Sequence, residues 1–194
     1  MPVIENIRKN TELAQCVRYS IEECGISVQI GKSLRDNDDL IHEIIAILKP
    51  DAYYNSKNYS RPPKAADNVA VIKDCESFDI YIIELKSASK IKYIKVKDIQ
   101  EKFKGVLNCF FCEFKDIFKS DYNLRKINLW LVCNPFRCQG NITEEIFRKK
   151  IKATALDSFQ SMKPMEFKGK AALIIPMLPS PVIEKNNVGD TSKT

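Results

Sequence analysis

The chain has 194 residues and a mass of 22.3 kDa, the size of one domain with at most a short appendage. Hydrophobic residues at 44% and charged residues at 29% exclude collagen-like and wholly disordered chains. Lys and Arg number 31 against 25 Asp and Glu, and the resulting +6 tolerates a polyanionic partner without demanding one.

No apolar run approaches the ~20 residues that span a bilayer, and MPVIENIRKN lacks a signal-peptide core. A cytoplasmic protein without a membrane partner is therefore expected. Seven cysteines, an odd number, fit reduced thiols better than a disulfide framework. Cys109-x-x-Cys112 and Cys133-x4-Cys138 nominally offer four zinc ligands, but the first pair falls inside a helical pattern.

In chain order, Thr11 to Cys24 reads as a helix stopped by Gly25, and 26–30 as a short strand. Asn37 or Asp38 can cap a second helix carrying Leu40, Ile41, Ile44, Ile45 and Leu48, ended by Pro50. Residues 51–64 read as a polar, aromatic surface loop. Residues 68–73 and 79–86 have the spacing of a hairpin, and IKYIKV (91–96) is a candidate third strand.

From Asp98 a helix carries the stripe Ile99, Phe103, Val106, Phe110, Phe114 and Ile117, with Gln100 on its border. Residues 126–133 read as a buried strand. Asn141-x-x-Glu144 resembles a capping box opening a helix with Phe147, Ile151, Ala155 and Phe159 on its face. Residues 171–178 form a last strand, with Pro176 favouring an edge. The order points to one α/β domain with a mixed sheet flanked by helices. Residues 1–36 are an N-terminal helical segment, 37–179 the main domain and 180–194 a flexible tail.

Charge is distributed unevenly. Residues 1–51 hold nine acids and six bases, a net of −3, so the remainder carries +9. Residues 85–104 alone hold seven Lys against Asp98 and Glu101, a net of +5. Such a strip is either a solvated face or a phosphate-binding surface.

One stretch carries chemistry. Asp67 precedes the first hairpin strand, and Glu84-Leu85-Lys86 closes the second. Strand alternation puts Glu84 and Lys86 on one side and Leu85 on the other. Two converging carboxylates can hold Mg²⁺ through hard oxygens, and a neighbouring lysine can orient water and stabilise a phosphoryl transition state. Asp74 and Asp79 compete with Asp67 for the first position. Asp79 begins the strand that Glu84 ends, roughly 16 Å away, too far to share an ion, so Asp67 is preferred.

An Asp 17 residues upstream of the Glu of IIELKS, followed by a helix with an early Gln, resembles the PD-(D/E)XK nuclease superfamily. Ala66 stands where that motif often has Pro. The resemblance implies a restriction-endonuclease-like core of order α-β-β-β-α-β over 38–133. It implies Asp67 and Glu84 as ligands of Mg²⁺ (or Mn²⁺) and Lys86 as the catalytic lysine. Glu43 matches an additional helical acid and Gln100 a glutamine near the site. The implied activity is DNA hydrolysis in restriction, defence or repair, with a homodimer where both strands are cut. Lys64, Lys90, Lys92 and Lys95 are the candidate nucleic-acid contacts, with Arg148, Lys149, Lys150 and Lys152 a second basic cluster. Tyr53, Tyr54, Tyr59 and Arg61 in the 51–64 loop are candidates for stacking or phosphate binding. The rivals are a non-catalytic DNA-binding or assembly subunit of the same fold and a zinc-binding interaction module. His42, the single histidine, leaves no pair for a zinc hydrolase.

Overall fold

The structure, a computed structural model, describes residues 3–88, 90–136, 142–152 and 154–185. The chain opens with α1 (Val3–Lys9) and α2 (Thr11–Cys16). Asn10 caps α2, its side chain accepting from the amides of Glu12 and Leu13 at 3.1 and 3.0 Å. The helix expected over 11–24 ends at Cys16, because β1 (Val17–Arg18) extends to pair with Leu48 and Ile47. Next come β2 (Ile21–Glu23) and β3 (Ile26–Ile30), joined by Cys24 and Gly25 at φ 48° and 77°. Two positive φ values make the turn that suits twisted hairpin strands, so Gly25 turns a hairpin and does not stop a helix.

The helix expected over 38–48 is absent. Asn37 and Asp38, at φ 46° and 71°, turn β4 (Arg35–Asp36) into β5 (Asp39–Leu40). Asn and Asp tolerate this left-handed backbone. Ile45–Leu48 is β6, buried along its whole length, and Pro50 opens α3 (Pro50–Ser56). Proline's fixed φ suits the first helical position as well as it ends a preceding one. Residues 51–56 of the expected 51–64 loop are thus helical, and Tyr53 and Tyr54 are core residues.

The expected hairpin is present as β7 (Asn68–Asp74) and β8 (Ser77–Lys86). IKYIKV is not a strand. Ile91–Tyr93 forms one 3-10 turn, and Val96 already begins α4 (Val96–Gly105). A π-helical turn (Val106–Phe110), α5 (Phe111–Glu113) and α6 (Lys115–Phe118) continue α4, with a break at Phe114. All six residues of the expected stripe are buried.

The strand expected over 126–133 is the longer β9 (Asn123–Cys133). Thr143 caps α7 (Glu144–Ile151), its hydroxyl accepting from the Ile146 amide at 3.3 Å. Asn141 lies outside the described residues. Ala155 falls beyond the helix and Phe159 in a later 3-10 turn, although Phe159 is buried. The final strand is divided: β10 (Met165–Phe167) pairs with β11 (Lys170–Ala172), and β12 (Ile174–Met177) carries Pro176 at the edge of the main sheet. Within the expected tail, β13 (Val182–Ile183) pairs with β3.

The main sheet has the order β1-β6-β7-β8-β9-β12. β6, β7 and β8 form an antiparallel meander, and β9 and β12 continue it in parallel with β8. This is a mixed α/β architecture with helices against the sheet. Side chains alternate between two layers: Ile80 and Ile82 join the helical core with Phe103 and Phe110, as do Val3, Ile7 and Leu13 of the N-terminal helices. Tyr81, Ile83 and Leu85 face the opposite core, which Val28, Ile30 and Ile183 of the small sheet complete. At about 1.5–3 kcal/mol per large buried side chain, the two cores fix the register of β8, since a one-residue slip would exchange its faces. Among the described residues, no helix is long and apolar enough to cross a membrane.

Candidate functional site

β7 and β8 reach the same end of the sheet together. Asn68 faces Ile83 across the ladder, so Asp67 lies one step beyond, beside Glu84. Oδ2 of Asp67 accepts from the Leu85 amide at 2.6 Å, which fixes the carboxylate against the neighbouring strand. Glu84 shares the helical face with Ile80 and Ile82 and has 0% exposure. Leu85 packs into the opposite core, and Lys86 returns to the Glu84 side with Nζ 3.0 Å from Oε1. The structure therefore brings Asp67, Glu84 and Lys86 together.

A fourth member escaped the sequence reading. Lys102, on α4, places Nζ 2.7 Å from Oε1 of Glu84 and 3.5 Å from Oδ1 of Asp67. Oε2 of Glu84 is buried and has no hydrogen-bond partner. Burial, and then the charge of Asp67, pushes the Glu84 carboxyl up to about 7, against the pull of Lys102 and Lys86. Burial works to lower the pKa of Lys102, but Glu84 and Asp67 outweigh it and hold the ammonium above its usual range.

Asp51 is a second residue missed. It stands in the first turn of α3, directly after β6, at the end where Leu48 faces Val69. Burial raises its pKa, Asp67 adds to the rise, and Lys49 opposes it. Its Oδ1 accepts from the Ala52 amide at 2.7 Å. The signal was present in Lys-Pro-Asp after a four-residue apolar run, once that run is read as a strand.

Glu43 is not part of the site. It is exposed in the turn before β6, beside Ile45, which faces Ile72 and through it Asp79. That is the other end of the sheet, about 13 Å along β7 from Asn68. Gln100 also faces elsewhere: its Nε2 donates to Sδ of Met162 at 3.1 Å, and it lines a groove of about 380 Å³ with Lys104, Met162 and Lys163. At 3.6 residues per turn, Gln100 and Lys102 flank the buried Ile99–Phe103 face on opposite sides, so only one can reach the carboxylates.

Lys90, Lys92 and Lys95 are exposed on the segment that leaves β8. Lys64 is exposed but engaged, with Nζ 2.7 Å from Glu101 and 3.1 Å from Asp98. Tyr59 is exposed and donates to Glu113 at 3.0 Å, while Tyr53 and Tyr54 cannot offer stacking faces from the core. On α7, Arg148 and Lys149 pair with Glu144 and Glu145, as a solvated helix face does.

The rival first ligands are committed elsewhere. Arg125 donates to both oxygens of Asp79, at 2.8 and 2.5 Å, and also to Asp74, at the far end of the hairpin. Cys109 and Cys112 are exposed whereas Cys133 is buried, and Cys138 lies outside the described residues. Among the described residues, no group of three or more His, Cys, Asp or Glu side chains gathers around a common point.

Two carboxylates suffice for Mg²⁺, which keeps several waters and commonly takes one or two protein carboxylates. The unpartnered Oε2 of Glu84 and the all-oxygen donor set fit such an ion, and the absence of thiolate and imidazole from the set disfavours zinc. No family model, curated protein or solved structure matches the chain.

Proposed function

We propose that this chain is a Mg²⁺-dependent deoxyribonuclease with a restriction-endonuclease-like core. The observation that carries the reading is the convergence of Asp67, Glu84 and Lys86 at one end of the β7–β8 hairpin. The element order supports it: a helix, three antiparallel strands (β6, β7, β8), the α4 helix and a parallel strand (β9). In this reading β6 takes the place first expected for residues 91–96 and α1–α2 the place expected for residues 38–48, with β1–β5 inserted before β6 and α3 between β6 and β7.

Asp67 and Glu84 would hold the ion. When bound, it supplies Lewis acidity and neutralises charge on the phosphoryl group. Lys86, partly exposed beside Glu84, is positioned to orient an attacking water or the scissile phosphate. The exposed Lys90, Lys92 and Lys95 continue outward from β8 and can hold flanking phosphates, so binding weakens as salt rises. Cutting both strands of a duplex calls for two such sites, hence a pair of chains.

The test is incubation of the purified chain with supercoiled, linear and single-stranded DNA in Mg²⁺, Mn²⁺ or EDTA. Cleavage is expected with metal and not with EDTA, and Glu84→Ala and Lys86→Ala are each expected to slow it at least ~100-fold. Binding without cleavage on every substrate would replace the nuclease with a non-catalytic DNA-binding subunit of the same fold.

A further inference from the structure

Lys102 has no part in the chemistry just described, yet its ammonium lies between the two proposed ligands. It is 2.7 Å from Oε1 of Glu84 and 3.5 Å from Oδ1 of Asp67, in the space that a cation shared by those oxygens would need. Oε2 of Glu84 is left without a partner. Lys86 differs: among the described residues its ion pair is with Glu84 alone, and its side chain is more exposed than that of Lys102.

We propose that Lys102 is a tethered counter-cation. It neutralises Asp67 and Glu84 in the metal-free protein and withdraws its ammonium when a divalent ion binds between them. Lys102 thereby sets the metal affinity of the site. The inference deepens the reading of Asp67 and Glu84 as metal ligands and rests on it.

Two physical points support it. Two buried carboxylates without a counter-charge would strongly destabilise the fold, so the metal-free protein needs a resident cation. Lysine is suited to a removable one, because its compact charge rides on a flexible four-carbon stem. The Lys102 side chain is 24% exposed, so its stem already reaches solvent from the carboxylates.

The experiment is Mn²⁺ titration of the full chain, stripped of metal, followed by electron paramagnetic resonance. Wild type is compared with Lys102→Met, Lys102→Gln and Lys86→Met. Both Lys102 variants are expected to bind Mn²⁺ at least about tenfold tighter, and Lys86→Met less than about threefold tighter. Equal tightening by Lys86→Met, or no tightening in either folded Lys102 variant, overturns the proposal. A second measurement needs no variant. Saturating Mg²⁺ is expected to raise the rate at which Lys102 of the wild type is reductively methylated, read by mass spectrometry. An unchanged rate overturns the proposal even where the variants fail to fold. Absence of Mn²⁺ binding in every protein removes the metal site and this inference together. Tightened Mn²⁺ binding without DNA cleavage removes only the nuclease.

Discussion

Glu84 makes the folded protein sensitive to pH in an unusual direction. Its carboxyl is pushed from an ordinary 4.5 up to about 7, chiefly by burial and then by Asp67. A folded-state pKa above the unfolded value means that the native state binds the proton more tightly. The resulting stability is complete below the unfolded pKa, about 4.5, and is lost as pH rises through about 7. At about 1.4 kcal/mol per pKa unit, the full effect is about 3 kcal/mol, of which about 2.5 kcal/mol falls between pH 5 and pH 8. Glu84→Gln removes the titration while keeping the shape. Urea unfolding in EDTA at several pH values, wild type beside variant, isolates the Glu84 cluster, because carboxylates away from Asp67, Lys86 and Lys102 titrate alike in both. The variant is expected to gain on the wild type by about 2.5 kcal/mol across that range. A difference that stays flat within about 0.5 kcal/mol, or grows in the opposite direction, would falsify the account of a desolvated carboxylate at this position.

Two further predictions concern the frame that holds the site. A Cβ at Gly105 would stand 2.9 Å from the carbonyl carbon of Lys64 and closer still to its oxygen, in the segment leading to Asp67. Gly105→Ala should gain about 1 kcal/mol in helix propensity but lose about 1–3 kcal/mol or more to that clash. A net fall in melting temperature is expected by calorimetry, and a rise would mean that α4 does not approach Lys64 so closely. Arg125→Met leaves Asp79 buried without its bidentate partner, so a loss of about 3–5 kcal/mol is expected in chemical unfolding, whereas an exposed pair would lose under about 1 kcal/mol.

What the sequence revealed depended on whether periodicity was unambiguous. The β7–β8 hairpin, β9 and the stripe from Ile99 to Ile117 each follow one period over many residues, and their placement is as expected. Residues 40–48 satisfied two periods at once. Leu40, Ile41, Ile44, Ile45 and Leu48 fit a helical face, but IAIL is also a short continuous apolar run, which a doubly covered strand requires. The sheet decided, since β6 gains ladder partners on both sides from β1 and β7. IKYIKV erred the other way: alternating lysines imitate a strand, yet in the middle of the segment only Ile94 is buried. Glu84 and Lys86 were legible because alternation needs only a strand. Lys102 was not, because one lysine among seven is distinguished only by how α4 docks on the sheet.

The hairpin buries a pair of carboxylates near each of its ends, and the two pairs are answered differently. At the far end Asp74 and Asp79 meet the planar fork of Arg125, with Lys126 and Lys185 at 3.7 and 3.8 Å. Arginine is the residue for a permanent bidentate lock, and nothing in that cluster asks for another ligand. At the other end Asp67 and Glu84 meet two lysines, each a point charge on a mobile stem, and one oxygen of Glu84 remains without a partner. A fold that needed only to neutralise the second pair had the solution used for the first already within its repertoire. Leaving an acceptor open beneath removable cations costs stability, and that cost is expected where a site exchanges one cation for another.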